Sequence, residues 1–448
     1  MNRINDDAAD VIRIANCSGF YGDKLSAARE MIEGGPIDVL TGDYLAELTM
    51  SILHGQKAKN LEAGYVGTFL KQIREVIEPA LERDIKIVTN AGGLNPKGMA
   101  EEVEAIVAEL GLKATVAYID GDDLIPRLED LGAVGERFVN IDTGRELAES
   151  RHQPVTANAY FGAWGIAEAL TQGADIVICP RVTDAAVVIG PAAWKFGWAR
   201  DDYDALAGAL AAGHIIECGA QATGGNYAFF QEVNSFANIG YPIAEIERDG
   251  CFTITKHPGT GGLVSVGTVT AQLLYETSSP AYLNPDVVAH FDTLKIEETG
   301  IDRVRVSGCR GSMPPVTHKV CINTLGGYRN SMEILLTGLD IEEKAKVFTD
   351  ALFEAIGGRD RFDQVSEQLI RSDKPNPETN EQAFASLKID VKASDSKIVG
   401  RIFSAKIVEL ALANFPGFCA RTGANAGGLM SSTGPRWLTV NTSPSGCM

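Results

Sequence analysis

Through the first two hundred residues, short runs of apolar and β-branched residues alternate with longer amphipathic stretches. Residues 11–15, 37–40, 85–88, 114–119 and 175–178 each read as a strand bounded by glycine or by Asn, Asp and Ser. Between and around them, residues 23–33, 44–54, 68–82, 97–110 and 163–172 read as helices that bury one face. Parallel neighbours need a long crossover, so strands separated by helices of this length predict βαβ units. The expectation is an α/β domain with at least five parallel strands, an open sheet of the Rossmann-like, doubly wound kind.

From about residue 250 the rhythm changes. Residues 251–255, 263–266, 303–306 and 319–325 are strand-like with no long helical stretch between them. A helix over 341–356, a strand over 385–391 and a helix over 400–414 follow. This order predicts a smaller α+β domain with a mostly antiparallel sheet. The turn-rich stretch 277–285, where Ser, Pro and Asn cluster, marks the division, giving domains 1–280 and 281–448. The Gly- and Ser-rich tail after Phe415 reads as loops.

Composition narrows the function classes. Of 448 residues, 45% are hydrophobic and 22% charged, enough apolar material for substantial cores in two domains. The formal charge of −19, from 59 acidic against 40 basic residues, repels nucleic acid and anionic membrane surfaces. No apolar run is long enough to cross a membrane, and the polar start MNRINDDAAD does not read as a signal peptide. Cysteines 17, 179, 218, 251, 309, 321, 419 and 447 are scattered without CxxC or Cys/His spacing, which reads as reduced thiols in a cytoplasmic protein. A homo-oligomer is expected from size alone.

In open parallel sheets ligands bind beyond the carboxyl ends of the strands, so the residues there carry the chemistry. After the first strand come Asn16, Ser18 and Gly19, and after the second Asp43; the third is followed by Asn90, Gly92, Gly93 and Asn95. Asp120 follows the fourth, and Arg181 and Asp184 follow the fifth. Glycine lets backbone approach a ligand, while Asp, Asn and Ser at these places also serve as helix caps and turn formers. Two further stretches place glycines beside hydroxyl and amide side chains, a combination able to hold phosphate or carboxylate. One contains Cys218, Gln221, Thr223, Gly224, Gly225 and Asn226; the other contains His257, Thr260, Gly261 and Gly262. Tight turns account for them equally. Arg181 suits a carboxylate or phosphate, or a structural ion pair with Asp184. Asp43, Asp120 or Asp184 could act as general base, and His257 is the histidine placed for acid–base work. Cys218 reads either as a nucleophile activated by a surrounding turn or as an inert buried thiol. The first loop, S-G-F-Y-G-D, lacks a glycine of the dinucleotide fingerprint, and no P-loop, GxSxG, HExxH or paired metal-binding acid motif occurs. No metal ligands and no standard NAD or ATP site are assigned.

The runs GFYGDKLSA, TNAGGLNP, DIVICPRVTDAA, ECGAQATGGN and KHPGTGGLVSVGTVTAQLLYE, in this order, resemble the acyclic terpene utilisation (AtuA-like) family over about residues 10 to 415. The resemblance implies a place in the breakdown of citronellol- and geraniol-type compounds, whose intermediates are branched acyl-CoA thioesters. It implies an enzyme acting on such a thioester or a related carboxylate by lyase, hydratase or thioester chemistry, with CoA entering as part of the substrate. The alternative is a non-catalytic binding or scaffold subunit that partners an acyl-CoA carboxylase or another pathway enzyme.

Overall fold

The structure, a computed structural model, describes residues 11–439; the first ten residues and those after 439, Cys447 among them, lie outside the described residues. The chain runs β1 (Val11–Asn16), α1 (Ala27–Gly34), β2 (Val39–Gly42), α2 (Glu47–Lys57), α3 (Gly67–Glu82), β3 (Lys86–Thr89), α4 (Pro96–Glu109) and β4 (Val116–Tyr118). Then come α5 (Leu128–Ala133), β5 (Pro154–Ala159), α6 (Trp164–Thr171), β6 (Ile176–Ile178), α7 (Ala186–Phe196) and α8 (Tyr203–Ile216). These are followed by β7 (Pro242–Glu247), β8 (Phe252–Lys256), α9 (Val266–Leu274), β9 (Ala281–Leu283), β10 (Val288–His290), β11 (Lys295–Gly300), β12 (Arg303–Ser307) and β13 (Arg310–Ser312). The chain continues with β14 (Thr317–Thr337), α10 (Ile341–Ile356), β15 (Gln364–Arg371), β16 (Phe384–Ala393), α11 (Phe403–Glu409), β17 (Cys419–Ala420) and β18 (Gly428–Thr439).

The expected parallel strands are present in the order β1-β2-β3-β6-β4, all hydrogen-bonded in parallel. The sheet does not stop there. On the far side of β1 it continues through β7, β8, β12 and β11, every pair antiparallel, making a mixed sheet of nine strands. The local reason is hairpin chemistry: Asp249-Gly250 turns β7 into β8 with Gly250 at φ 83°, and Asp302, at φ 52°, turns β11 into β12. An antiparallel pair needs only a short turn, so it can extend an edge that a crossover helix would otherwise have to reach.

Successive residues of the parallel strands feed two different cores. Ile14, Val39, Val88 and Val177 pack with α6, α7 and α8, whereas Ala15, Leu40, Ile87 and Ile178 pack with α1, α3 and α4. Both faces are therefore covered by helices, which is why these strands read as continuous apolar runs. Helices α7 and α8 are buried almost all round, α8 without a break from Leu206 to Ile216. They have no polar stripe and so no amphipathic period to announce them. Residues 263–266, expected as a strand, instead lead into α9, where Ser265 caps the helix by accepting a hydrogen bond from the Thr268 amide at 3.2 Å.

The chain divides into two compact units, the second comprising Arg151–Pro154 and Thr324–Ser432. The turn-rich 277–285 stretch lies inside the first unit, because β11 and β12 beyond it are hydrogen-bonded onto β8. In the second unit β15, β16, β14 and β17 form an antiparallel sheet. Its inner face, with Met332, Ile334, Leu387 and Ile389, packs on Phe348 and Leu352 of α10 and Phe403 of α11. The tail after Phe415, expected as loops, contributes strands β17 and β18. No helix among the described residues is long and apolar enough to cross a membrane.

Phe252, fully buried on β8, tests whether the antiparallel extension belongs to the same cooperative core as the parallel strands. Phe252→Ala is expected to cost about 3–5 kcal/mol of unfolding free energy, measured by urea titration of the whole chain with strand and aromatic signals shifting together.

Candidate functional site

A cavity of about 910 Å3 in the first unit is lined by Gly19 beyond β1, Asp43 and Glu47 beyond β2, Arg181 and Asp184 beyond β6, and Glu217, Cys218, Gln221, Gly225 and Asn226 beyond α8. Lys319, at the start of β14, Tyr282 of β9, and the carboxyls of Asp23, Asp142 and Glu276 also line it. Two buried asparagines set the geometry from behind. The Asn16 side-chain amide donates to the carbonyls of Ile216 at 2.5 Å and Glu217 at 3.0 Å, fixing the end of α8 against β1. The Asn90 amide donates to Asp43 Oδ1 at 2.6 Å, and its own oxygen accepts from the Tyr44 amide. Gly19 lets the first loop run against this assembly, since a Cβ there would sit 2.6 Å from the Cys218 carbonyl carbon.

Arg181 is fully buried. Its Nη1 donates to Asp184 Oδ1 at 2.7 Å and to the Val182 carbonyl at 3.0 Å, and its guanidinium lies 4.0 Å from the centre of the Tyr160 ring. Its Nε has no partner among the described residues. A buried cation is tolerable only with such compensation. On the other side of Tyr160, the phenol donates to Glu47 Oε1 at 2.7 Å, and the Lys319 ammonium reaches the same oxygen at 3.1 Å. Burial opposes charge on Glu47, but Lys319, Arg181 and the Tyr160 hydroxyl outweigh it and hold the carboxyl down at about 2.

Two other carboxyls behave oppositely. Burial, reinforced by the charge of Asp184, pushes Asp43 well above the ordinary carboxylate range, against the pull of Arg181 and Asn90. Burial pushes Glu217 up to about 7 even though His214 Nδ1 lies 3.0 Å from its Oε1. His214 itself is pushed up, the carboxylate of Glu217 overcoming the cost of burying a charged ring. Glu217 Oε2 has no hydrogen-bond partner among the described residues. The wall thus carries Glu217, which exchanges its proton near neutrality, and Asp43, which holds its proton more tightly than an ordinary carboxyl, beside a permanent cation. Among the described residues no group of three or more His, Cys, Asp or Glu is arranged to hold a metal ion.

Compared with protein families, residues 12–431 match the model described as acyclic terpene utilisation family protein AtuA. The chain belongs to the AtuA family. The match runs past Phe415 to the start of β18. No curated protein and no solved structure matches the chain.

The motifs of this AtuA-family chain separate in space. Gly19, Asp43, Arg181, Asp184, Cys218, Gln221, Gly225 and Asn226 line the cavity. Asn16, Ser18, Asn90 and Thr223 are buried, with Thr223 Oγ1 donating to the Gly240 carbonyl at 2.7 Å beside Gly224, whose φ is 102°. The other expected residues do not line the cavity. Asp120 is exposed, and its neighbour Asp122 takes the interior place, accepting from Asn158 Nδ2 and the Arg181 amide. Asn95 caps α4, accepting from the Gly98 amide at 3.0 Å; Gly92 packs on the Cys179 carbonyl, and Gly93 takes φ 52° in the turn before the cap. His257 is buried with Nε2 2.9 Å from the Met31 carbonyl; the Thr260 hydroxyl donates to the His257 carbonyl across the Pro258-Gly259 turn, and the Gly261 and Gly262 amides donate to the carbonyls of Asn238 and Ile239.

Burial first, then the charges of Glu217, Asp43 and Asp184, push the Cys218 thiol far up, which works against a thiolate at neutral pH. Residues that the strand-end argument did not single out are Glu47, Glu217, Lys319 and Tyr282. Glu217 could have been found from its position three residues after His214, whereas Lys319 meets Glu47 across 272 residues with no local signal.

Two measurements follow from these environments. Alkylation at neutral pH is expected to reach the exposed Cys419 at least about tenfold faster than Cys218, read by peptide mass spectrometry; equal rates would show an activated Cys218. Burial also raises Asp122 to about 7, above its unfolded value, so its stabilisation is complete below pH 4 and is lost as pH rises through 7. Asp122→Asn is expected to flatten the fall of unfolding free energy between pH 4 and 7 by the share of one proton, about 1.4 kcal/mol per pH unit at most, measured by urea titration across that range.

Proposed function

We propose that the cavity is the active site of an enzyme that transfers protons on a branched or terpenoid acyl group, carried as a thioester or a related carboxylate, in a hydration or lyase reaction. The observation that carries this reading is the placing of two buried carboxyls whose proton affinity is raised by burial, Asp43 well above the ordinary carboxylate range and Glu217 to about 7, with buried Arg181 on one cavity wall. A carboxyl held neutral donates a proton to a departing hydroxyl or a forming carbanion, and its conjugate base removes one from water or from the carbon next to the carbonyl. Arg181 supplies positive charge toward the oxygen on which negative charge develops. Membership of the AtuA family supports a substrate from acyclic terpene breakdown.

Seven carboxyl side chains line the cavity against two cations, Arg181 and Lys319, each already paired. That wall disfavours a diphosphate, so the glycine-rich Gly224-Gly225 turn is better suited to shaping the acyl end than to cradling phosphate. When CoA carries the acyl group, its phosphates stay outside this cavity.

The test is a panel of branched acyl thioesters and terpenoid acids, scored first by thermal shift and then by turnover. Stabilisation by a thioester but not by nicotinamide nucleotides is expected, and Asp43→Asn should lower kcat by about 10²- to 10⁴-fold with Tm retained. With Glu217 as the acid, activity falls as pH rises above about 7, and Glu217→Gln removes that limb. No ligand in the panel shifting Tm, or full turnover in both variants, would overturn the assignment.

A further inference from the structure

The second unit carries a concavity of its own, about 630 Å3, on the polar face of its antiparallel sheet. Arg329 and Ser331 of β14, Lys388 and Lys392 of β16, and Gln364 and Ser366 of β15 contribute to its wall. The register places Arg329 directly opposite Lys392, with Gln364 opposite Lys392 on the other side. Like charges directly opposite across an antiparallel pair are destabilising. Further along the same two strands the pairing is complementary, with Glu333 opposite Lys388. Among the described residues Arg329 and Lys392 have no carboxylate at ion-pair distance; the wall's one carboxylate, Asp390, sits 3.3 Å from Lys388.

We propose that this groove binds the phosphate group of a small phosphorylated ligand. An anion between Arg329 and Lys392 converts their repulsion into attraction to a shared partner. The guanidinium fork matches two phosphate oxygens, the Lys392 ammonium acts as a point charge, and the Gln364 amide opposite it offers a further donor, while Lys388 offsets Asp390, which lies opposite Ser331 and Ser366. A phosphate carries the charge and oxygen count to engage both cations at once, whereas a monocarboxylate satisfies one. The site uses no residue of the first unit's cavity and stands independently of the proton-transfer reading.

The experiment titrates the whole chain with inorganic phosphate, pyrophosphate, CoA and a branched acyl pantetheine thioester that lacks phosphate, by calorimetry at low and high salt. The comparison protein is the Arg329→Gln/Lys392→Gln double variant. Phosphate-bearing ligands are expected to bind the unaltered chain with affinity that weakens as salt rises, and at least tenfold more weakly to the double variant. Without ligand, the double variant is expected to melt at or above the temperature of the unaltered chain, because the cross-strand repulsion is gone. Preference for CoA identifies a nucleotide-bearing ligand, and preference for phosphate or pyrophosphate a simpler one. Equal affinity in both proteins, no binding of any phosphate at millimolar concentration, or a lower melting temperature of the ligand-free double variant would overturn the site.

Discussion

Arg181 is the constraint around which the first unit is organised. A guanidinium with no solvent must be matched by charge and hydrogen bonds, and single-partner loss from such an arrangement is far costlier than the arrangement itself is favourable. Asp184 answers it directly, the Tyr160 ring answers it through its face, and Asp122 anchors its backbone. Each partner arrives from a different element: Asp122 follows β4, Tyr160 follows β5, and Asp184 precedes α7. Burying the arginine therefore fixes the strand ends relative to one another, and the cavity wall is a consequence of that fixation.

Each carboxyl's neighbours, the buried cation among them for two of the three, also sort the carboxyls. Glu47 has Lys319 and the Tyr160 hydroxyl close at hand besides Arg181, and stays ionised at about 2. Asp43 faces Asp184 as well as Arg181, so the like charge and burial together defeat the attraction and favour its proton. Glu217, with a histidine as its near partner, titrates near neutrality. Three chemically similar groups on one wall are thereby given different proton affinities by position alone.

The parallel core was legible because its strands are buried on both faces and separated by amphipathic helices, a pattern that only βαβ connections produce. The antiparallel extension was half legible: the Asp249-Gly250 turn and the strand 251–255 are visible, but the return of 303–306 to the same sheet depends on edge pairing that no local pattern encodes. Helices α7 and α8 were hidden by being apolar along almost their whole length. For the site, rules about strand ends reached Asp43, Arg181 and Asp184, since those rules describe where a parallel sheet exposes its loops. They could not reach Lys319, which enters from a strand far along the chain, nor separate Asp120 from Asp122, whose difference is only which side of the loop faces inward.

The residues that carry the family resemblance are not all site residues, and the packing explains why. In TNAGGLNP and KHPGTGG the glycines stand where another chain segment is already in contact. A Cβ on Gly92 would lie 2.6 Å from the Cys179 carbonyl oxygen, and one on Gly262 would lie 2.2 Å from that of Ile239. These runs hold the loops that hold the cavity. In PRVTDAA and ECGAQATGGN, by contrast, Arg181, Asp184, Glu217 and Cys218 reach the cavity wall. A motif required for close packing and a motif required for chemistry look alike as strings of small and polar residues; they part only when each side chain is asked what it touches. By that measure the charged side chains on the cavity wall come from four of the five signature runs, as Asp23, Arg181 with Asp184, Glu217 and Glu276, and from Asp43, Glu47, Asp142 and Lys319 outside them, and the glycines around them let the backbone come close enough to put those charges together.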